Sequence, residues 1–344
     1  MSGQRRNAGL CFAVVFLLTL ASCAEASEYS LFPEALGFKI NVDLKPYWDG
    51  VLNIDEVTFD PAGSVEIRNL TLSDRAGRKW VSVKSAKCAY VKDQNDVAVT
   101  EVRLEQPHVT LWYDKGELKL PMPESQTQSG QEPSGSSASV RHIIVNDAAF
   151  TIAGENFAAT WDGFTITATP AAEGSKYNFK LTRRLPQSEI DANGTVDVDT
   201  HILTADVVAD HTLSTVETAA ILRLYDVPLI HDVSGHVMAN LRFSGSLDDS
   251  ENFWPAGYVV MKNGTVNGDG GHLLENLKSR ITFLGQKLIM FDTIECSALS
   301  GRFHGVGFVT ERYDGTAWFG GHIAAADVNL AQFCQAIGSQ GNHA

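Results

Sequence analysis

The chain has 344 residues, of which 44% are hydrophobic and 20% charged, a balance typical of a folded protein with one large or two ordinary domains. Its formal net charge of −14 argues against a nucleic-acid-binding surface, because binding phosphate requires clustered Lys and Arg. The same charge argues against electrostatic docking on anionic lipid headgroups. Any contact with lipid would therefore have to be apolar.

The N-terminus predicts a signal peptide over residues 1–26. Two arginines precede the apolar run "AGLCFAVVFLLTLAS", which is short for a membrane span and typical of an export signal. Three outcomes stay open. "LASC" fits a lipobox with Cys23 as the lipidated first residue, "AEA" fits ordinary signal peptidase, and the run could also be an uncleaved anchor. No later segment approaches about 18 uninterrupted apolar residues, so the body is not predicted to span a membrane.

The cysteines beyond the signal do not predict a disulfide framework. Cys88, Cys296 and Cys334 are widely spaced, and no CxxC pair is available for zinc. We expect small buried hydrophobic residues, with one bridge among them as the alternative in an oxidising compartment.

Residues 28–121 predict an N-terminal β module. "VEIRNLTL" places Val65 and Ile67 on one face by the period of two, and the alternation continues through "WVSVKSAKCAYV" after the turn "SDRAGRK". Pro107, inside a later strand run, predicts a bulge or an edge position.

Residues 122–139 predict a flexible linker. The segment "MPESQTQSGQEPSGSSAS" is rich in Ser, Gln, Gly, Pro and Glu and has no apolar period. We therefore expect it to separate the N-terminal module from a C-terminal module over residues 140–338.

The C-terminal module is predicted to be strands with two short helices. Ser214 and Glu217 form a capping-box pattern at the start of a helix over residues 214–225. A second helix is predicted over residues 329–337, capped by Asn329 and closed by Gly338. Recurrent Asn-Gly, Asn-Asp and Ser-Gly pairs predict hairpin turns and strand starts, because these residues tolerate positive φ.

The search for catalytic residues gives no constellation. His231, Asp232 and His236 in "HDVSGH" suggest a metal or acid–base site, but their neighbours favour a link from the central helix to a strand. "DANGTVDVD" lacks the glycine position and final Glu of an EF-hand and favours a solvated hairpin. No nucleophile elbow, phosphate-binding loop or dinucleotide fingerprint is found in the sequence. We therefore expect a protein that is not an enzyme and holds no metal or cofactor.

The strand pattern resembles the AsmA-like family of bacterial envelope proteins, including AsmA, TamB and YhdP. The resemblance lies in "GSVEIRNLTLSDRAGRKWVSVKSAKCAYV", in "VAVTEVRLEQPHVTLWYDKGELKLP" and in the C-terminal stretch from "YVVMKNGTV" to "GRFHGVGFVT". It includes an Asn-Leu-x-Leu turn at residues 69–72 and covers about residues 38–338. Family members are usually longer and anchored by an uncleaved helix, which this chain's short apolar run does not match.

The resemblance implies an elongated, curved antiparallel β-sheet that forms a U-shaped groove with an apolar floor. It further implies a periplasmic protein of a diderm bacterium that binds phospholipid acyl chains and assists phospholipid transport or outer-membrane biogenesis. Such a protein could be anchored as a lipoprotein through Cys23 and could act with other envelope proteins. Eight residues are candidates for the floor: Val65, Ile67, Val109, Leu111, Ile281, Phe283, Leu288 and Met290.

Two functional hypotheses follow. One is a lipid-binding module, because two short helices are too few to cover the apolar faces of so many strands. The other is a non-enzymatic envelope scaffold, or an interaction protein that binds a partner through its strand edges. For each floor residue the alternative position is an ordinary closed β-core.

Overall fold

The fold is mostly β, with a large antiparallel sheet and one helix among the residues described here. The computed structural model describes residues 50–60, 62–93, 96–114, 117–118, 140–172, 175–224, 230–247, 254–268, 271–285, 288–311 and 317–329. The predicted signal peptide with Cys23, the linker at 122–139 and the predicted helix at 329–337, apart from Asn329, lie outside these ranges. Within them, no helix has both the length and the apolar composition needed to cross a bilayer.

The strands and the helix follow one another along the chain with few long connections. Their bounds are β1 (Gly50–Asn53), β2 (Glu56–Asp60), β3 (Ser64–Asp74), β4 (Lys79–Asp93), β5 (Asp96–Glu105), β6 (His108–Asp114), β7 (Glu117–Leu118), β8 (His142–Gly154), β9 (Phe157–Pro170), β10 (Lys176–Leu185), β11 (Ser188–Asp197), β12 (Ile202–Leu213), α1 (Thr215–Leu224), β13 (Asp232–Ser246), β14 (Trp254–Gly268), β15 (Gly271–Phe283), β16 (Leu288–Ala298), β17 (Gly301–Glu311) and β18 (Ala317–Ala326).

The chain divides into two compact units, and the division is not at the predicted linker. Unit 1 comprises Met1–Arg184, Asn193–Leu203 and Ser246–Ser250, and unit 2 comprises Leu185–Ala192, Thr204–Gly245 and Glu251–Ala344. The reason lies in β8, which follows the linker yet pairs in parallel with both β5 and β6. This long-range pairing keeps β8 and β9 in unit 1, so the predicted start of a C-terminal module at residue 140 differs from the observed division.

In unit 1, β5 and β6 form one interrupted strand between β4 and β8. Ser85 pairs with Glu105 and Ser82 with His108, so the antiparallel register to β4 is kept across the break at Gln106 and Pro107. The break at Pro107 is neither the bulge nor the edge position expected there, because no extra residue is inserted and both neighbouring strands keep their register across it; Gln106 beside it has a φ of 50°. Its side-chain Nε2 donates to Asp147 Oδ2 at 2.9 Å on β8.

A row of left-handed residues crosses the unit 1 sheet. Asn69, Gln106 and Asp147 have φ of 50–52° and lie at matching positions on β3, the β5–β6 junction and β8. Asn69 therefore lies inside a strand, and the turn expected at residues 69–72 does not form. The left-handed residue Asn69 interrupts the alternation of buried positions without shifting the register to β4, so Ile67 and Leu70, three residues apart, are both buried in the core.

The hydrophobic core of the described chain lies in unit 1. It is built from strands β1–β5 and β8, and Val65, Ile67, Ala86, Cys88 and Val102 are each 0% exposed within it. Cys88 is disulfide-bonded, which agrees with the alternative of a bridge.

The β3–β4 turn is fixed by the buried Asp74, which accepts hydrogen bonds from Arg78 Nε at 2.7 Å and Trp80 Nε1 at 3.3 Å.

In unit 2, β13–β18 form an antiparallel meander in which each strand pairs with the next. The hairpin between β16 and β17 has the predicted Ser-Gly turn, since Leu299 and Ser300 both have positive φ and Ala298 pairs with Gly301. The Asn263–Gly264 pair, by contrast, lies inside β14 as a bulge with Asn263 at φ 52°. A left-handed Asn thus marks a bend within a strand as readily as a hairpin.

Helix α1 confirms the predicted capping box. The Ser214 backbone N–H donates to Glu217 Oε2 at 2.9 Å, and the Glu217 backbone N–H donates to Ser214 Oγ at 3.2 Å. The Thr218 hydroxyl joins the helix to β13, because its Oγ1 donates to the carbonyl oxygen of Val233 and accepts from the N–H of Val233 at 2.9 Å.

Candidate functional site

The register of β13–β18 places apolar residues together on one face of the unit 2 sheet. Residues directly opposite one another on neighbouring antiparallel strands share a face. Three successive rows, each with one residue from every strand, can be followed across all six strands. We call this surface the apolar face; its rows are Val237–Met261–Ser279–Ile294–Gly305–Ile323, Ala239–Val259–Ile281–Phe291–Gly307–Gly321 and Leu241–Gly257–Phe283–Ile289–Val309–Phe319. Ser279 is the one polar side chain in them.

The apolar face is only partly removed from solvent. All of its side chains on β13–β17 are half-buried, in contrast to the fully buried core positions of unit 1. On β18 the exposure rises, with Phe319 at 80% and Ile323 at 73%. A surface this apolar and this exposed is typical of a binding or interaction site rather than of an ordinary protein exterior.

The opposite face of the same strands carries the charges. Arg280 lies over the ring of Tyr258 at 4.3 Å from its centroid and 3.4 Å from the carboxylate of Asp292. The next row places Lys278 opposite Glu295 and Glu295 opposite His304. The sheet is therefore two-sided, with solvated charges on one face and uncharged residues on the other.

Close packing of backbones explains the glycines of β17 and β18. A Cβ on Gly321 would lie 2.6 Å from the carbonyl oxygen of Val306 and 3.1 Å from Gly307 Cα. A side chain at that position would push the two strands apart. The glycines therefore permit close pairing at this end of the sheet and carry no chemistry.

The C-terminal floor candidates separate onto two faces. Ile281 and Phe283 lie on the apolar face, paired with Phe291 and Ile289. Met290 pairs with Thr282 and Phe308, so Met290, and Leu288 two residues before it, lie on the opposite face. The expectation that all four residues line one surface is wrong, because the β15–β16 register determines which residues of β16 lie on each face of the sheet.

The N-terminal floor candidates lie in unit 1. Val65 and Ile67 are 0% exposed inside the core and offer no surface to a ligand in this structure. Val109 and Leu111 on β6 are half-buried, and Val109 packs against the core. For Val65 and Ile67 the position observed is the closed-core alternative.

Several members of the apolar face are absent from the sequence-based candidates. They include Val259, Ile289, Phe291 and Val309. The run "LIMF" on β16 is apolar at four successive positions, so alternation assigns it no face. The pairing of Phe283 with Ile289 does assign one.

The residues of "HDVSGH" do not converge on one point. The backbone N–H of His231 donates to the carbonyl oxygen of Asn267 at 2.8 Å, and Asn267 Nδ2 donates to Asp232 Oδ1 at 2.6 Å. His236 Nε2 lies 3.2 Å from Asp210 Oδ1 on β12. Among the described residues there is no cluster of three His, Cys, Asp or Glu side chains suited to a metal ion.

Cys296 extends the apolar face by one position. It pairs with Phe303 on β17, is a free cysteine and is half-buried. Burial raises the pKa of this thiol, because the thiolate would lose solvation. A protonated, half-buried thiol is a poor nucleophile and a good reporter of what covers this end of the sheet.

Comparison with protein-family models, with curated proteins and with solved structures gives no match.

Proposed function

We propose that this protein binds lipid acyl chains on the apolar face of its unit 2 sheet, as a non-enzymatic module of the AsmA type. The observation that carries the proposal is the segregation of residues in β13–β18. Three rows spanning six strands contain no charged residue, whereas the reverse face of those strands holds Arg, Lys, Asp and Glu.

Acyl chains suit this surface on energetic grounds. Each methylene removed from water contributes about 0.8 kcal/mol, so contact with a few residues per strand would hold a chain without any specific polar group. The half-buried side chains leave part of their area for such contact. The chain's net charge of −14 also favours apolar attachment over headgroup electrostatics.

The location and pathway belong to the same proposal. The predicted export signal and the resemblance to AsmA-like proteins support a periplasmic protein, soluble or lipid-anchored through Cys23, that assists phospholipid transport or outer-membrane biogenesis. A U-shaped groove would be the arrangement that gives the apolar face its depth. Binding by apolar contact needs no catalytic residue or cofactor.

The test is native mass spectrometry with lipid extraction on the full chain, purified in mild detergent from a diderm host. We expect a stoichiometric phospholipid adduct on the wild-type protein. Phe283→Glu places a charge on the apolar face, at the end of β15, and we expect it to abolish the adduct. The matched control is Met290→Glu, which lies on the adjacent rung of the ladder but on the opposite face and is 36% exposed; we expect it to retain lipid.

Far-UV circular dichroism and a cooperative thermal transition establish that the variants fold. If Phe283→Glu does not fold, Phe291→Glu tests the same face from the neighbouring strand. A wild-type protein free of lipid, or equal loss of lipid from the Phe283 and Met290 variants, would contradict the proposal.

A scaffold role is the second candidate function. It is favoured by β18, which is exposed along almost its whole length and lies at the end of the meander. The lipid-extraction experiment separates the two, because a scaffold needs no lipid on the apolar face.

A further inference from the structure

We infer that β18 is a self-complementary edge through which two copies of this chain pair antiparallel. The inference does not depend on lipid binding. It starts from the position of β18, for which β17 is the one pairing strand found in the described part of the chain. An edge strand offers backbone N–H and C=O groups to a further strand.

The sequence of β18 contains none of the features that block edge pairing. Its ten residues, AWFGGHIAAA, include no Lys, Glu, Asp, Arg or Pro. Protected edges usually carry an inward charge, a proline or a bulge. The pairing of β17 with β18 runs without a register shift from Arg302–Ala326 to Glu311–Ala317, so the edge is also regular.

The charge distribution favours a second copy at this place. Two chains that each carry a net charge of −14 repel one another over most of their surfaces. Residues 317–326 are free of charged side chains, apart from His322 when it is protonated. The uncharged edge is where two copies can approach with the least repulsion.

One register makes the edge complementary to itself. With the two-fold axis at Gly321, Phe319 of one copy lies opposite Ile323 of the other, and the two Gly321 residues face each other. Phe319, Gly321 and Ile323 all belong to the apolar face. The pairing would cover the two most exposed apolar side chains of the described chain and continue the apolar face from one copy into the next.

The area indicates a reversible dimer. Aromatic side chains bury roughly 150–250 Å² each, and stable interfaces bury about 800 Å² per partner. A single ten-residue strand with two large apolar side chains at its centre falls below that size. The dimer is therefore expected to form and dissociate with concentration, not to be permanent.

The test is sedimentation velocity on the full chain over about a hundredfold range of concentration. We expect a monomer–dimer equilibrium, weakened about tenfold or more by Ile323→Lys, which puts a charge at the centre of the interface. The matched control is Val306→Lys on β17, which is 44% exposed and lies on the other face, away from the edge. It should leave the equilibrium unchanged.

Cysteine crosslinking tests the register. Phe319→Cys and Ile323→Cys are made in separate chains and mixed under mild oxidation. Opposed residues of an antiparallel pair have Cα atoms about 4.5–5.5 Å apart, within disulfide range. We expect a heterodimeric crosslink in the mixture and much less in either variant alone.

Three outcomes would overturn the inference: a wild-type monomer at every concentration, a dimer that Ile323→Lys does not weaken, or equal crosslinking with and without mixing. A lipid-free protein that still dimerises would contradict the proposed function and leave this inference standing. A protein that binds lipid but stays monomeric would contradict this inference and leave the proposed function standing.

Discussion

Replacing Ile67 by Ala tests whether the stability of the molecule is concentrated in unit 1. Ile67 is 0% exposed and lies between Val57 on β2 and Ala86 on β4. The change removes three carbons, or about 2.4 kcal/mol of transfer free energy at about 0.8 kcal/mol each. A closed site also leaves a cavity, so we expect unfolding to become easier by about 3–5 kcal/mol.

Ile281→Ala is the matched change on the apolar face. Ile281 is half-buried between Val259 and Phe291, and no buried shell surrounds it in the described chain. About half of the transfer free energy of the removed carbons applies, and no closed cavity forms. We therefore expect the free energy of unfolding to fall by about 1 kcal/mol. The comparison therefore measures how completely the apolar face is covered.

The assay is urea unfolding combined with hydrogen exchange at the amides of β3–β4 and β15–β16. Exchange is needed because two compact units do not have to unfold together, and one bulk transition would then mix them. If Ile281→Ala lowered the free energy of unfolding as much as Ile67→Ala does, the reasoning would be refuted. The apolar face would then be part of a closed core with no area left for a ligand.

Two further predictions concern local contacts. Ser214→Ala removes the capping box with Glu217 and should destabilise α1 by about 1 kcal/mol, seen as faster exchange of its amides; unchanged exchange would contradict it. Burial opposes ionisation of Asp74, but hydrogen bonds from Arg78 and Trp80 outweigh it and lower the pKa of that carboxyl. A carboxyl with a lowered pKa in the folded state stabilises the protein above about pH 4, and this stabilisation is lost as the pH falls through the folded pKa. We therefore expect Asp74→Asn to lower the free energy of unfolding by about 1–3 kcal/mol at neutral pH and by progressively less in acid. An unfolding free-energy difference that does not change between about pH 6 and pH 3 would contradict this.

The sequence predicted the features that depend on neighbouring residues. The capping box of α1 needs residues 214 and 217 alone, and the Ser-Gly turn before β17 needs a few residues with positive φ. Strand content followed from period-two alternation in the same way. The break at Pro107 was predictable because a proline cannot donate a ladder hydrogen bond.

The position of the candidate site could not be obtained in this way. On β16 the residues Leu288, Ile289, Met290 and Phe291 are all apolar, so alternation gives no parity. A slip of one residue would exchange the two faces, and the observed register is set by the pairing of Phe283 with Ile289 across the β15–β16 hairpin. Two of the four C-terminal candidates, Leu288 and Met290, therefore lie on the face opposite Ile281 and Phe283.

Taken by itself, the sequence determined the β-rich class, the capped helix and the hairpin turn at Ser300, since each depends on contacts within a few residues. The tertiary structure decided that β8 returns in parallel beside β5 and β6, that Asn69 and Asn263 bend strands instead of closing hairpins, and which residues share the apolar face. These features depend on hydrogen bonds between strands far apart in the chain or on the register they impose. A local pattern is compatible with either register, and only the paired strand selects one.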